Sequence, residues 1–241
     1  MLNGLDLFSG IGGMSIALNE WIRPLAYCEI DPYCQGILLS QMVQNRISHA
    51  PIWDDIRTFR WDAPRELIDI VYGGFPCQDI SIAKVGKGLE GDRSGLFSHI
   101  VRLAKEIEPS FLFLENVPAI TTRGGLQVVK EIAEAGYDCR WCTLSASQIG
   151  APHKRERWFL LAYTQSKRFE KERFAMREKE TFSRSRSSNE YENGNSWWKS
   201  ESTVDRMADG IRQRSHRIKA LGNSVVPQQA KEAFQYLMGL L

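Results

Sequence analysis

Residues 73–78 read Gly73-Gly74-Phe75-Pro76-Cys77-Gln78, and they follow an apolar run, residues 68–72, that is typical of a buried strand. Two glycines and a proline predict that the strand ends here in a loop. Such a loop lies at the carboxyl edge of a sheet, where open α/β folds bind their ligands. Cys77 is therefore a candidate nucleophile, because a thiolate is a strong nucleophile near neutral pH. The alternative is a small apolar residue that fills a turn.

The composition limits the classes of protein that the chain can belong to. It has 241 residues, 43% of them hydrophobic, which is enough for one sizeable α/β core. We find no apolar run of 18 residues and no signal-peptide pattern, so we expect no membrane span. Five scattered cysteines favour a reduced, cytoplasmic protein. The formal net charge is only +2, so a nucleic-acid interface would have to be a local patch.

A glycine-rich turn follows the first predicted strand, residues 4–8. The turn, Phe8-Ser9-Gly10-Ile11-Gly12-Gly13, leads into a helical pattern that reaches Trp21. Strand, glycine turn and helix form the layout of a nucleotide-type site, because glycines let a ligand approach the backbone and its amide groups. Ser15 stands where a dinucleotide site would have its third glycine, and a purely structural turn is the alternative.

Acidic residues close the next two predicted strands. The second, residues 25–30, ends in Glu29-Ile30-Asp31-Pro32, where an acid commonly accepts hydrogen bonds from ribose hydroxyls. We assign Glu29 to the ribose and Asp31 to the N-cap of a helix over residues 33–44. The third strand ends in Trp53-Asp54-Asp55-Ile56, whose acids could meet an adenine amino group or serve ordinary turn chemistry.

A carboxylate also follows an apolar strand later in the chain. Residues 111–114 are all apolar and end in Glu115-Asn116-Val117-Pro118. Burying a carboxylate without partners is costly, so Glu115 is either paired structurally or functional. A candidate nucleophile on the preceding strand end favours function. His153-Lys154-Arg155-Glu156-Arg157 then forms a basic cluster before a strand over residues 158–163, suited to a phosphate, to a base edge or to guarding an exposed strand edge.

Other segments carry weaker signals. Helices are predicted over residues 96–107, 126–135 and 227–241. Cys139 and Cys142 form a C-x-x-C pair on a predicted strand, residues 137–144, but no second pair has metal spacing, so we predict no metal site. Residues 164–214 hold 12 Lys or Arg against 9 Asp or Glu, with Trp197 and Trp198 adjacent. This polar, basic composition of residues 164–214 suits nucleic-acid contact or a disordered linker.

Taken in order, these motifs resemble those of the DNA (cytosine-5) methyltransferases. Residues 6–13, Asp6 to Gly13, are similar to the family's cofactor loop, and residues 73–78 to its catalytic loop. Four more blocks fall in the family's order: Gly91-Asp92-Arg93-Ser94-Gly95-Leu96-Phe97, Glu115-Asn116-Val117, Arg155-Glu156-Arg157 and Gly222-Asn223-Ser224-Val225. Six ordered matches are far more specific than any one of them. His153 departs from the family's glutamine, and the variable region is unusually short.

The resemblance implies a fold and a division of the chain. The fold is a doubly wound, mixed seven-stranded sheet with helices on both faces, and the final helix packs beside the first. Residues 1–163 would bind the cofactor and carry the catalytic groups. Residues 164–214 would form a short recognition region, and residues 215–241 would return to the catalytic part.

The resemblance also implies the site and the partners. The cofactor would be S-adenosyl-L-methionine, and the substrate a cytosine flipped out of double-stranded DNA. The catalytic residues would be Cys77, Glu115, Arg155 and Arg157. The cofactor-binding residues would be Phe8, Ser9, Gly10, Ile11, Gly12, Gly13, Glu29, Ile30, Asp55, Ile56, Pro76, Asn223 and Ser224. The substrate-binding residues would be Gln78, Ser81, Arg93 and Asn116. We expect a monomer, with a restriction endonuclease as a candidate partner.

The sequence also leaves two other functions open. One is an enzyme of the same fold that methylates cytosine in RNA. The other is a pseudoenzyme that binds cofactor and DNA without methyl transfer, which the short variable region would allow. The polarity of that region also predicts modest sequence specificity and salt-dependent binding.

Overall fold

The structure, a computed structural model, describes residues 1–76, 95–164 and 214–239. Within these ranges seven strands form one sheet in the order β3-β2-β1-β4-β5-β7-β6. The strands are β1 (Leu2–Leu7), β2 (Ile22–Cys28), β3 (Ile52–Trp53), β4 (Ile70–Gly74), β5 (Phe111–Asn116), β6 (Tyr137–Ser145) and β7 (Glu156–Thr164). The helices are α1 (Gly13–Leu18), α2 (Pro32–Val43), α3 (Leu96–Ile107), α4 (Ile120–Arg123), α5 (Gly125–Glu134), α6 (Arg214–Asn223) and α7 (Pro227–Met238). The predicted α/β class is confirmed.

The direction of the strands places a ligand site at one edge of the sheet. Strands β1 to β5 pair in parallel, whereas β7 runs antiparallel between β5 and β6. The chain runs outward from β1 through β2 to β3 and then returns to β4 on the other side of β1. Ligands of open α/β sheets bind at the carboxyl ends of the strands on either side of such a reversal. This edge, at the ends of β1, β2, β4 and β5, is called the carboxyl edge below.

Alternation along the strands gives the sheet two apolar faces. Leu5 and Leu7 of β1 lie on one face, which α3 and α5 cover. On the other face, Phe113 of β5 stacks on Phe159 of β7, and α1 and α7 cover them. The ring of Phe234 in α7 lies 5.6 Å from Trp21 and 5.1 Å from Phe113, measured between centroids. The predicted packing of the final helix beside the first is therefore confirmed.

Strand β4 corrects the prediction that the paired glycines end the strand. Gly73 pairs with Leu114 and Gly74 with Glu115, so the strand continues through both. The glycines serve close packing instead. A Cβ on Gly73 would lie 1.8 Å from the carbonyl oxygen of Leu7, and its φ of +154° also disfavours a side chain. A Cβ on Gly74 would lie 2.5 Å from Oε2 of Glu115.

The helix boundaries follow local chemistry. Asp31 is the N-cap of α2, and its carboxylate accepts a hydrogen bond from the Tyr33 amide at 3.0 Å, as predicted. Helix α7 ends at Met238, because Gly239 adopts a left-handed conformation, and not at residue 241 as predicted. Helix α6 was not predicted; it is polar and largely exposed, so it lacks an apolar period. None of the described helices is long and apolar enough to cross a membrane.

Candidate active site

The glycine turn lies at the carboxyl edge and exposes its backbone. Phe8, Gly10 and Gly12 all have positive φ, at 54°, 53° and 85°. A Cβ on Gly10 would meet no atom within 4 Å, so the space beside this residue is open. A left-handed conformation costs a residue such as Phe8 of the order of 1 kcal/mol or more, and such strain clusters at ligand sites. The turn therefore has the backbone and the free space that a cofactor needs.

Glu29 connects this turn to the start of α2. Its Oε2 accepts a hydrogen bond from the Gly10 amide, and its Oε1 accepts one from the Asp31 amide, each at 2.7 Å. A carboxylate has about four acceptor sites, so both oxygens keep capacity for a ligand's hydroxyl groups. Its ribose contact stays a prediction, and its role in shaping the turn is one that the sequence did not indicate.

We expect Glu29→Ala to weaken binding of S-adenosylmethionine by about tenfold or more. A lost charge-assisted hydrogen bond is worth about 1.5–3 kcal/mol, and the turn would lose its anchor as well. Titration calorimetry measures this affinity directly. Glu134→Ala, at an exposed position in α5, is the matched control and should leave the affinity unchanged. Unaltered affinity in Glu29→Ala would transfer the ribose contact to another residue, with Asp31 the next candidate.

Asp55 and Ile56 border the same edge, beyond the end of β3. The carboxylate of Asp55 accepts hydrogen bonds from the amide and the guanidinium of Arg57 at 2.6–2.9 Å, which is turn chemistry. Arg102 of α3 donates to the carbonyl oxygens of Ile56 and Phe59 at 3.1 and 3.0 Å and so fixes this turn. The adenine contact of Asp55 stays a prediction.

Glu115 and Arg157 form a buried ion pair where β5 meets β7. Nε of Arg157 lies 2.7 Å from Oε1 of Glu115, and Glu115 is only 8% exposed. Burial raises the pKa of Glu115 to about 7, although Arg157 and Arg155 oppose the shift. A carboxyl group with such a pKa exists in both protonation states near neutral pH. It can therefore donate a hydrogen bond as well as accept one.

Asn116 supports the chain that leads towards Cys77. Its Nδ2 donates to the carbonyl oxygen of Phe75 at 3.0 Å, and its Oδ1 accepts from the amide of Val117 at 2.8 Å. The ring centroids of Phe75 and Phe97 lie 5.1 Å apart, so this contact holds the end of β4 against the start of α3. The predicted contact of Asn116 with substrate stays a prediction.

Several predicted residues lie outside the described ranges. They are Cys77, Gln78, Ser81, Arg93, Trp197 and Trp198. Pro76 is the last described residue before residues 77–94.

One buried acid was missed as a separate feature of the site. Asp6 is fully buried, its Oδ2 accepts from Oγ of Ser15, and its carbonyl oxygen accepts from Oγ of Ser9 at 2.7 Å. Tyr72 of β4 joins this cluster through Ser15 at 2.7 Å. Burial raises the pKa of Asp6 to about 7. Ser9 is near the start of the glycine turn and Ser15 lies just after its end, so Asp6 is bonded at both ends of the turn. In the sequence, the available signal was an acid in an apolar strand just before the glycines.

The C-x-x-C pair does not form a joint ligand. Cys139 packs against the face under α3 and α5, whereas Cys142 packs on the opposite face. Residues three apart on a strand point to opposite sides, which explains the separation. Burial raises the pKa of Cys142 to about 11, so its thiol stays protonated. Among the residues that the structure describes, no group of three His, Cys, Asp or Glu could hold a metal ion.

The fold is similar to that of solved methyltransferase structures. One is assigned as a DNA modification methyltransferase encoded within an E. coli prophage, with a TM-score of 0.52 and 28% identity, and it covers 69% of this chain and 47% of that one. Another is S. pombe Dnmt2, with a TM-score of 0.53 and 23% identity over 68% of this chain and 51% of that one, which supports the fold alone.

A sequence profile of C-5 cytosine-specific DNA methylases matches residues 2–210, and the chain belongs to this family. Type II methyltransferase M.CviJI of Paramecium bursaria Chlorella virus IL3A is 34% identical over 231 residues, which are 95% of this chain and 58% of that protein. Type II methyltransferase M.HhaI of Haemophilus parahaemolyticus is 32% identical over 167 residues, 67% of this chain and 49% of that protein. The chain spans about half the length of these curated relatives.

Proposed function

We propose that this protein transfers the methyl group of S-adenosylmethionine to carbon 5 of a cytosine in DNA. The observation that carries the proposal is the buried Glu115–Arg157 pair, whose carboxyl group has a pKa of about 7 and lies at the end of the strand beside the one that leads to Cys77. Family membership supports the same chemistry. Action on DNA would take place in the cytoplasm of a prokaryotic cell or of a phage-infected host.

The carboxyl edge fits S-adenosylmethionine. The open space beside Gly10, the acceptor capacity of Glu29 and the exposed side chain of Ile30, 63% accessible, suit a ligand with amide-binding, hydroxyl and apolar parts. The residues that would hold it are Phe8, Ser9, Gly10, Ile11, Gly12, Gly13, Glu29, Ile30, Asp55, Ile56, Pro76, Asn223 and Ser224. When bound, S-adenosylmethionine supplies an electrophilic methyl group.

The residues of the chain would activate the base. Cytosine carbon 5 is a poor nucleophile, and the target base must leave the duplex stack to be reached. The Cys77 thiolate adds to carbon 6, which breaks the aromaticity and moves negative charge towards ring N3. Protonated Glu115, held by Arg157, donates a hydrogen bond to N3 and stabilises this charge, and carbon 5 becomes nucleophilic. After methylation, loss of the carbon 5 proton and expulsion of Cys77 restore the ring.

We expect the rate of methyl transfer by the parent, divided by the rate of Glu115→Gln, to fall as the pH rises above about 7. Glu115 must be protonated to donate to N3, and burial puts its pKa at about 7, so each further pH unit removes about tenfold of the protonated form. Glu115→Gln donates at every pH and should be slower, and its rate should follow only the ionisation of Cys77. Single-turnover rates of both proteins from pH 6 to 9 give this ratio. A ratio that does not change with pH would mean that protonation of Glu115 is not required.

The proposed function is tested by methyl transfer to defined substrates. Radiolabelled S-adenosylmethionine is supplied with duplex DNA or with transfer RNA, and the product is sequenced for 5-methylcytosine. Label in DNA supports the proposal, and label in transfer RNA alone would establish the RNA alternative. Cofactor binding without label in either substrate would establish a pseudoenzyme.

We further expect a short or degenerate target sequence. Reading bases requires side chains held firmly against base edges, and residues 164–214 are too polar to build a core of their own. Bisulfite sequencing of DNA exposed to the protein measures the target, and binding should weaken steeply with salt. Methylation confined to one site of about six base pairs or more would contradict this.

We propose that the protein acts as a monomer. We also propose a restriction endonuclease as candidate partner, because the relatives are Type II methyltransferases.

A further inference from the structure

The two arginines at the start of β7 have different partners. Arg155 and Arg157 are two residues apart, which in an extended chain puts them on the same side. Arg157 binds Glu115. Arg155 turns to the C-terminal segment, where its Nη2 donates to the carbonyl oxygens of Gly222 and Ser224 at 2.7 and 2.5 Å.

The carbonyls that Arg155 binds lie on either side of Asn223. The last carbonyl groups of a helix have no partner within the helix, and a cation near this end is favourable for them and for the helix dipole. Gly222 and Ser224 bracket the end of α6, so one guanidinium group fixes the backbone on both sides of Asn223. Hydrogen bonds from a charged donor are stronger than those between neutral groups.

Helix α7 holds Arg155 in return. Gln229 is fully buried, and its Nε2 donates to the carbonyl oxygens of Arg155 and Leu144 at 2.6 and 2.7 Å. Between Ser224 and Gln229, Val225 packs on the glycine turn, because a Cβ on Gly13 would lie 3.1 Å from its Cγ1. Residues 222–229 are therefore tied to β7 by a side chain at each end and touch α1 between them.

The other end of α6 reaches the opposite wall of the carboxyl edge. Nζ of Lys219 lies 3.1 Å from Oδ2 of Asp31, and the ring of His216 lies 5.7 Å from that of Tyr33. Asp31 is in turn bound to Glu29, whose carboxylate accepts a hydrogen bond from the Asp31 amide. Helix α6 thus runs between β7 and α2, and Arg155 fixes the end nearer to the Glu115–Arg157 pair.

We propose that Arg155 is a positioning residue for the cofactor wall formed by residues 222–225, and that it does not contact the base. Its Nη2 is already used by two carbonyl groups, and its Nε is buried without a partner among the described residues. This inference rests on the proposed function, because Asn223 and Ser224 are predicted cofactor contacts. Arg155 would then govern cofactor affinity, and Arg157 the chemical step.

The test compares Arg155→Met, Arg155→Lys and Arg157→Met with the parent protein and with Arg123→Met, an exposed control in α4. We expect Arg155→Met to weaken S-adenosylmethionine binding tenfold or more in calorimetry, with kcat at saturating cofactor within about threefold of the parent. Arg155→Lys keeps the positive charge but loses the fixed pair of N–H donors of the guanidinium group. Its affinity for the cofactor should therefore lie between those of Arg155→Met and the parent. Arg157→Met should show the reverse, a loss of kcat with little change in affinity.

Hydrogen exchange provides a readout that needs neither cofactor nor substrate. Amides of residues 220–225 should exchange faster in both Arg155 variants than in Arg123→Met. A fall in kcat with unchanged cofactor affinity in Arg155→Met and Arg155→Lys would overturn the inference, as would unchanged exchange. If Arg155→Met does not fold, Arg155→Lys alone decides. A parent protein that binds cofactor but methylates neither DNA nor RNA would refute the proposed function and still leave this inference testable, whereas a parent that binds no cofactor would overturn both.

Discussion

Cys77→Ser is expected to abolish methyl transfer and to leave the affinity for S-adenosylmethionine unchanged. A serine hydroxyl is a far weaker nucleophile than a thiolate, and Cys77 is not among the residues predicted to bind the cofactor. Transfer of label to duplex DNA and calorimetry on the same preparation measure the two properties. The expected result is activity below detection with a cofactor Kd within about twofold of the parent value.

A covalent complex provides the complementary evidence for Cys77. Fluorine at carbon 5 of cytosine blocks the elimination step, so DNA carrying 5-fluorocytosine should become bound to the parent protein. The adduct would be detected by denaturing electrophoresis, and Cys77→Ser should form none. A folded, cofactor-loaded parent protein that forms no adduct would exclude Cys77 from the mechanism.

Gly73→Ala is expected to destabilise the fold severely. The new Cβ would lie 1.8 Å from the carbonyl oxygen of Leu7, which belongs to the neighbouring strand and cannot rotate away, and the backbone φ of +154° is unfavourable as well. Strands β1 and β4 lie side by side near the middle of the sheet, so separating them costs packing on both faces. We expect a loss of more than about 4 kcal/mol, a large part of a typical domain's 5–15 kcal/mol.

Gly36→Ala is the matched control for this substitution. Gly36 lies within α2, where a Cβ would meet nothing within 4 Å, so alanine should stabilise the helix by up to about 1 kcal/mol. Denaturant unfolding of the soluble variants measures both effects. A Gly73→Ala protein within about 1 kcal/mol of the parent would mean that β1 and β4 are less closely packed than described.

The sequence predicted those features that depend on local chemistry. Asp31 before Pro32 is a cap followed by a favoured first residue, and the structure has both. The helix over residues 96–107 matches its predicted bounds, because its apolar residues recur at helical spacing. A continuous apolar run gave strand β5, which the structure extends through Glu115 and Asn116.

Features that depend on distant contacts could not be predicted. The glycines of β4 looked like strand breakers, because nothing local shows that Leu7 and Glu115 occupy the space of their missing side chains. Arg155 and Arg157 were one basic cluster in the sequence. Only the fold shows that Arg157 pairs with Glu115, whereas Arg155 binds the carbonyl oxygens of residues 222 and 224. For Asp55 the sequence left turn chemistry and an adenine contact open, and the pair that it forms with Arg57 in the turn is seen only in the structure.

The packing of α7 on α1 bears on how the chain folds during synthesis. The face that carries Trp21, Phe113 and Phe159 is covered by Phe234 and its neighbours in α7, more than 200 residues after Trp21. At about 5–20 residues per second, a ribosome needs several seconds to move from the end of β7 to α7. Throughout that interval the nascent sheet has one apolar face without its helix. Slow translation over residues 165–213 would lengthen its exposure to chaperones and to other nascent chains.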